Sequence, residues 1–329
     1  MMAGNFASAR EENLLVRDQL RKYSGFLILL ALLAVVPIGM ARHMLSESRN
    51  DAYVADKPNY LAHQYPPAGD AELTPRLARL LDEDMHAVDA VPRTFLTKLP
   101  DNLPELVDAK RRKQLFVSAM LPIILRANEL IIADRGRLLA IKDRLEGGDP
   151  EGKRQRIWLE QLAKRHRVKL SAPATLEQID ALLFKVDVIP PSLALAQAAM
   201  ESGWGTSRFA QQANALFGEW TWNQEEGILP LGREEGKTHK IKSFEYLLDS
   251  VRSYMTNLNR HNSYSGLRDR RAELRTHNLV LTGAALAPAL VDYSERGTAY
   301  VSDILSIIDY NDLDGLDSAR LMATAQESR

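Results

Sequence analysis

The stretch Leu193–Trp220, LALAQAAMESGWGTSRFAQQANALFGEW, decides the fold. Pro190 and Pro191 suit the first turn of a helix, and Gly203 and Gly205 suit its end, so roughly three helical turns lie between them. On that helix Leu193, Gln197, Glu201 and Trp204 recur at intervals of three and four and share one stripe. Ala198, Ala199 and Met200 mark the surroundings as apolar, which predicts that the stripe is buried. Most helical glutamates serve solubility. Here burial disfavours the charged carboxylate, and a carboxyl that keeps its proton can act as a general acid.

The rest of the chain frames that residue. With 329 residues, 45% of them hydrophobic and 26% charged, the chain can bury one or two cores. A formal net charge of -1 carries no polybasic signal, so nucleic acid is not an expected partner. The absence of cysteine excludes disulfides and thiolate chemistry, and the seven histidines are scattered without metal-ligand spacing. No cofactor is expected.

Residues 23–41, YSGFLILLALLAVVPIGMA, are uncharged and about as long as a membrane-spanning helix requires. Arg17, Arg21 and Lys22 precede them, which places residues 1–22 in the cytoplasm and the body of the protein outside it, tethered to the membrane by one helix. A cleaved signal peptide ending near Gly39-Met40-Ala41 is the alternative, and it exports the body equally. Residues 42–90 read as a polar, proline-bearing linker followed by a first helical segment.

A helical region is expected over 91–185. Lys113 to Ala140 carries Leu115, Phe116, Met120, Ile123, Ile124, Leu130 and Ile131 at helical spacing, with a kink or break predicted at Pro122. Two shorter helices follow, Arg156 to His166 and Thr175 to Phe184, the latter with a capping box from Thr175 and Gln178. The catalytic domain is expected over 186–312 and a flexible tail over 313–329. Leu247 to Asn259 reads as an amphipathic helix, the basic run Leu267–Arg275 as a solvated one, and Thr298 as the cap of a last helix.

The motif AQAAMESGWGTSRFAQQANALFG resembles the glucosaminidase domains of bacterial peptidoglycan hydrolases, with their Ala-Gln-Ala-x-x-Glu-Ser-x-Trp-Gly helix end and Asn-x-Leu-Phe-Gly segment. VPRTFLTKLP, FVSAMLPIILRANE, REEGKTHKI and YSERGTAYV narrow the resemblance to the Bax-type glucosaminidases of Gram-negative bacteria, over roughly Val91 to Asn311. It implies a mainly α, lysozyme-like fold with a small β-lobe, and a glycosidase acting on peptidoglycan strands at the β-1,4 bond after N-acetylglucosamine. Glu201 is then the catalytic acid, with Gln197, Trp204, Asn214, Phe217 and Trp220 as substrate-binding residues.

The lobe is expected as a hairpin of Ile228 to Leu231 and Thr238 to Ile241, whose turn offers Glu235 or Glu234 as a second carboxylate. Tyr293 matches a cleft tyrosine of the family. The chain departs from the wider pattern Asn-Asn-Leu-Phe-Gly-Ile-Lys in reading Asn214-Ala215-Leu216-Phe217-Gly218-Glu219-Trp220. Two other readings stand beside this one. A lytic transglycosylase uses a similar fold and a single Glu, but the Gly-Leu-Met-Gln stretch usual after its Glu-Ser pair is absent here. A catalytically idle cell-wall binding protein is disfavoured by the intact Glu201 motif.

Overall fold

A computed structural model describes residues 90–223, 225, 227–229 and 239–323. The expected cytoplasmic tail, anchor and nearly all of the linker lie outside the described residues, as do Glu234 and Glu235. Residues 90–292 and 297–323 belong to one compact unit, from which Tyr293–Arg296 is grouped apart.

The chain enters at β1 (Ala90–Val91) and, after a short 3-10 turn at Leu103–Glu105, forms α1 (Ala109–Glu146). Asp108 caps α1 by accepting from the Lys110 and Arg111 backbone nitrogens. Every residue from Leu115 to Leu125 is buried, so this part of α1 is surrounded on all sides. That burial explains how the helix continues past Pro122, where the sequence predicts a kink or a break, without the break. A proline removes a single backbone bond, and packing around the helix replaces what that bond held. By length and composition α1 is also apolar enough to cross a membrane, but its apolar part is mostly enclosed within the fold.

The far half of α1 packs Leu138 and Ile141 against Leu159 and Leu162 of α2 (Lys153–His166), and against Ile179 and Leu182 of α3 (Leu176–Lys185). Thr175 and Gln178 form the predicted capping box of α3. The near half packs against α4 (Pro191–Ser202), whose Ala194, Ala196, Ala198 and Ala199 allow close approach. Further on come α5 (Arg208–Ala213), β2 (Trp220–Thr221), β3 (Lys240–Ile241), α6 (Leu247–Arg260), α7 (Ser265–Thr276), α8 (Gly283–Leu286), α9 (Thr298–Tyr310) and β4 (Arg320–Leu321). The fold is mainly α, with two short strand pairs among the described residues. Since α1 packs on both α4 and α6, regions 91–185 and 186–312 share one core.

Three sequence expectations are corrected, two of them by long-range polar contacts. Residues 313–323 of the expected tail are folded: Leu313, Leu316 and Ala319 are fully buried, and β4 pairs in parallel with β1, Arg320 opposite Ala90. Asp317 explains why. Its carboxylate accepts from the Ser192 nitrogen at 2.8 Å, the Ser192 hydroxyl at 2.7 Å and the Gly283 nitrogen at 2.9 Å. It thereby satisfies the helix-start donors that Pro190 leaves uncapped on α4.

The basic run of α7 is solvated on one side only, for Arg268 and Arg271 are buried while Asp269, Glu273 and Arg275 are exposed. Arg268 donates to the Leu258 and His261 carbonyls, and Arg271 to those of Asp187 and Val188 and to Asn259 Oδ1. Guanidinium donors thus absorb carbonyls that the ends of neighbouring segments leave unpaired. The last helix, finally, takes Gly297 as its N-cap, with Thr298 as its first residue.

Asp187 is the charge that balances these arginines. Arg275 grips both of its oxygens at 2.6 Å, with Arg135 at 3.6 Å and Arg271 at 3.7 Å. Burial alone would push this carboxyl up, but the hydrogen bond from Arg275 and the three guanidinium charges hold it below the ordinary carboxylate range. Removing it leaves buried cations unpaired, so Asp187→Ala is expected to cost about 3–5 kcal/mol in urea unfolding at neutral pH. The wild-type contribution is present above the unfolded carboxylate value and is lost as pH falls through the lower folded value. Asp187→Ala should therefore also flatten the acid limb of the stability curve.

Candidate active site

The site begins with the way α4 stops. Gly203, Trp204 and Gly205 all adopt left-handed backbone, with φ of 59°, 59° and 78°. The Trp204 nitrogen donates to the Ala199 carbonyl at 2.8 Å and the Gly203 nitrogen to Met200 at 3.5 Å, the pairing of a Schellman end. Ser202 locks it from within. Its hydroxyl donates to the Ala198 carbonyl at 2.5 Å and accepts from the Gly205 nitrogen at 2.8 Å. A side chain at Gly205 would sit 2.7–2.9 Å from Leu99, Leu103 and Phe116, so the turn is pressed against the core. The Glu-Ser-Gly-Trp-Gly sequence is the local code for this helix end.

Glu201 lies in the last turn of α4. Leu193 and Gln197 on the same stripe are fully buried, whereas Glu201 and Trp204 are half-buried. The expected burial of the whole stripe is thus corrected: it leaves the core at its C-terminal end.

A chain of hydrogen bonds runs into the carboxyl. Tyr254 of α6 donates to Gln197 Oε1 at 2.5 Å, Gln197 Nε2 donates to the Tyr300 hydroxyl of α9 at 2.8 Å, and Tyr300 donates to Glu201 Oε1 at 3.2 Å. Burial above all, with the Glu201 charge adding to it, pushes both tyrosine hydroxyls well above their ordinary value, so they remain donors. Phe217 lies flat on Tyr254, ring centroids 3.9 Å apart at 4°.

The other residues singled out by sequence divide into two groups. Gln197 has no exposed surface and both ends of its amide are occupied, so it holds Tyr300 rather than facing a ligand. Asn214 is buried too, its amide nitrogen donating to the carbonyls of Thr97, Phe244 and Glu245. Trp204 and Trp220 keep partial exposure. Trp204 meets Phe116 edge-on at 5.8 Å, and Trp220 stacks on His239 at 4.0 Å. Tyr293 is buried and belongs to the separately grouped Tyr293–Arg296.

The described end of the expected hairpin is present, for Ile228 bridges Ile241 in antiparallel fashion, while Leu231 and Thr238 lie outside the described residues. On its other side β3 pairs with β2, Trp220 opposite Ile241 and Thr221 opposite Lys240. This strand pair places a residue that sequence reasoning did not select. Glu219 Oε2 accepts from Ser253 of α6 at 2.7 Å, and Ser253 in turn accepts from Lys242 at 3.3 Å. Although Glu219 is partly exposed as a residue, its Oε1 is enclosed and has no hydrogen-bond partner among the described residues. Burial raises this carboxyl, against the opposing pull of Lys242 and Ser253. Buried Tyr264 feels the charges of both Glu219 and Glu201. The departure from Ile at position 219 of the family pattern was the one signal that pointed here.

Helix end, carboxyl and buried polar chain are brought together in one place. The sequence model of the Glucosaminidase family, described as mannosyl-glycoprotein endo-beta-N-acetylglucosaminidase, matches residues 177–313. The chain is also 34% identical over 215 residues to "Protein bax" of Escherichia coli (strain K12), a match covering 65% of this chain and 75% of that one. No solved structure matches. The chain belongs to the Bax-type glucosaminidases and is a glycoside hydrolase of the endo-β-N-acetylglucosaminidase type.

Glu219 gives this site a pH signature. A carboxyl whose folded value is raised contributes most below its unfolded value, and that contribution fades as pH rises toward the folded one. Glu219→Gln, neutral at every pH, should flatten the decline in melting temperature across the mildly acidic range. Parallel wild-type and variant curves would contradict the assignment.

Proposed function

We propose that this enzyme is a membrane-anchored peptidoglycan hydrolase that cleaves the β-1,4 bond after N-acetylglucosamine, with Glu201 as general acid. The observation that carries the reading is a half-exposed carboxyl at a rigid helix end, held on one oxygen by a buried tyrosine. With Oε1 accepting from Tyr300, Oε2 is the oxygen that carries the proton to the glycosidic oxygen. The proton passes as the bond to the anomeric carbon breaks, and positive charge develops on the sugar. Trp204 and Trp220 offer aromatic faces to sugar rings, and Phe217 backs the relay.

Water attack on the opposite face calls for a base or for help from the substrate's own acetamido group. Glu235, with Glu234 beside it, is the candidate base in the lobe, and Tyr293 positions the acetamido group or the water. The apolar segment 23–41 with its preceding basic residues supports a single-pass anchor in the inner membrane, with the catalytic domain in the periplasm.

On purified sacculi, Glu201→Gln is expected to slow turbidity loss by on the order of a hundredfold or more, without a change in melting temperature. Tyr300→Phe removes one hydrogen bond to the carboxyl and should cost about tenfold in kcat. Equal rates for wild type and Glu201→Gln would defeat the assignment.

A further inference from the structure

We propose that Lys113, Trp204 and Tyr310 form an outlying subsite that receives a carboxylate-bearing sugar of the glycan strand; the proposal rests on the peptidoglycan reading above. The Lys113 ammonium, on the first turns of α1, lies 4.8 Å from the ring centroid of Trp204 and 4.9 Å from that of Tyr310. It also donates to Asn311 Oδ1 at 2.9 Å. Among the described residues no carboxylate pairs with it, although Asp309 and Asp312 are exposed close by in sequence. Aromatic faces attract a cation without neutralising it. Burial, and then the charge of Arg112, lower the lysine from its ordinary value, as suits a cation lacking a counter-charge.

The geometry is prepared before any ligand arrives. Trp204 is fixed by its left-handed backbone and by its edge contact with Phe116. Tyr310 is 81% exposed, an aromatic surface that the fold does not use for its own packing. Such a face, anchored by a cation on one side, is suited to the apolar side of a sugar ring.

The subsite is also continuous with the acid. Trp204 follows Glu201 by three residues, and Tyr310 ends the helix whose Tyr300 holds Glu201. Ten residues of helix span about 15 Å. Between these ends Asp303, Ile307 and Tyr310 recur at helical spacing with surface exposure, so one stripe of α9 leads from the acid to the outer aromatic. A peptidoglycan strand alternates neutral N-acetylglucosamine with a sugar whose lactyl-peptide branch bears carboxylates. The aromatic pair takes either ring, and the unneutralised ammonium selects the second.

The test measures binding calorimetrically in the Glu201→Gln background, with soluble peptidoglycan strands and with chitin oligosaccharides of equal length. Lys113→Met is expected to weaken binding of the anionic strands about tenfold. Binding of the neutral oligosaccharides should hold within about twofold, since an exposed pair's effect vanishes without its partner. Lys113→Arg should restore the preference, and Tyr310→Ala should weaken both ligands. Melting temperatures identify any variant that misfolds, in which case the Arg variant and Tyr310→Ala still decide. Equal loss on both ligands with Lys113→Met, or none on the anionic strand, overturns the subsite. Absence of hydrolysis by the wild-type chain on the same strands overturns the parent reading instead, and leaves the binding order as the measure of the subsite.

Discussion

Everything at the site depends on α4 ending immediately after Glu201. A helix made of Leu and Ala is driven into the core along its whole length, and a carboxyl on its buried stripe would be lost there. Three consecutive left-handed residues turn the chain out, and Ser202 pins the turn from inside. Only glycine fits at 205, where the backbone is left-handed and Leu99, Leu103 and Phe116 leave no room for a side chain. The left-handed Trp204 carries a backbone cost of about 1–2 kcal/mol. Its indole is thereby set between Phe116 and Lys113.

The buried polar chain behind Glu201 follows from the same constraint. Gln197 sits one turn before Glu201 on the stripe, where an apolar residue would pack more cheaply. Its amide is tolerated because Tyr254 and Tyr300 satisfy both ends, leaving a chain of donors with one direction. Three helices, α4, α6 and α9, are therefore joined by one chain of hydrogen bonds that ends on a single carboxyl oxygen. The placement of the Glu201 carboxyl derives from their packing and not from a loop.

Local patterning made much of this legible. The apolar rhythm found α1, α2, α3 and α6, the capping box at Thr175 is present, and the Pro-Pro and Gly-Trp-Gly boundaries of α4 fall where the residues place them. What stayed hidden was long-range pairing. The arginines of α7 look solvated in sequence because their partners, Asp187 and the carbonyls of Leu258 and His261, lie on other elements. The segment after 312 looks like a tail because Asp317 meets Ser192 across 125 residues of chain. Gln197 and Asn214 belong to the motif, yet their amides are spent on tyrosines and carbonyls. Glu219 gave no periodic signal and acquires its environment only from Ser253 and Lys242.

The central claim is that Glu201 delivers a proton to the glycosidic oxygen after N-acetylglucosamine and that water completes the reaction. Mass spectrometry of the fragments released from purified sacculi tests it most directly. The account predicts fragments with reducing-end N-acetylglucosamine from the wild-type chain and none from Glu201→Gln. Fragments ending in anhydro-muramic acid, or the same fragments released by both proteins, would contradict it.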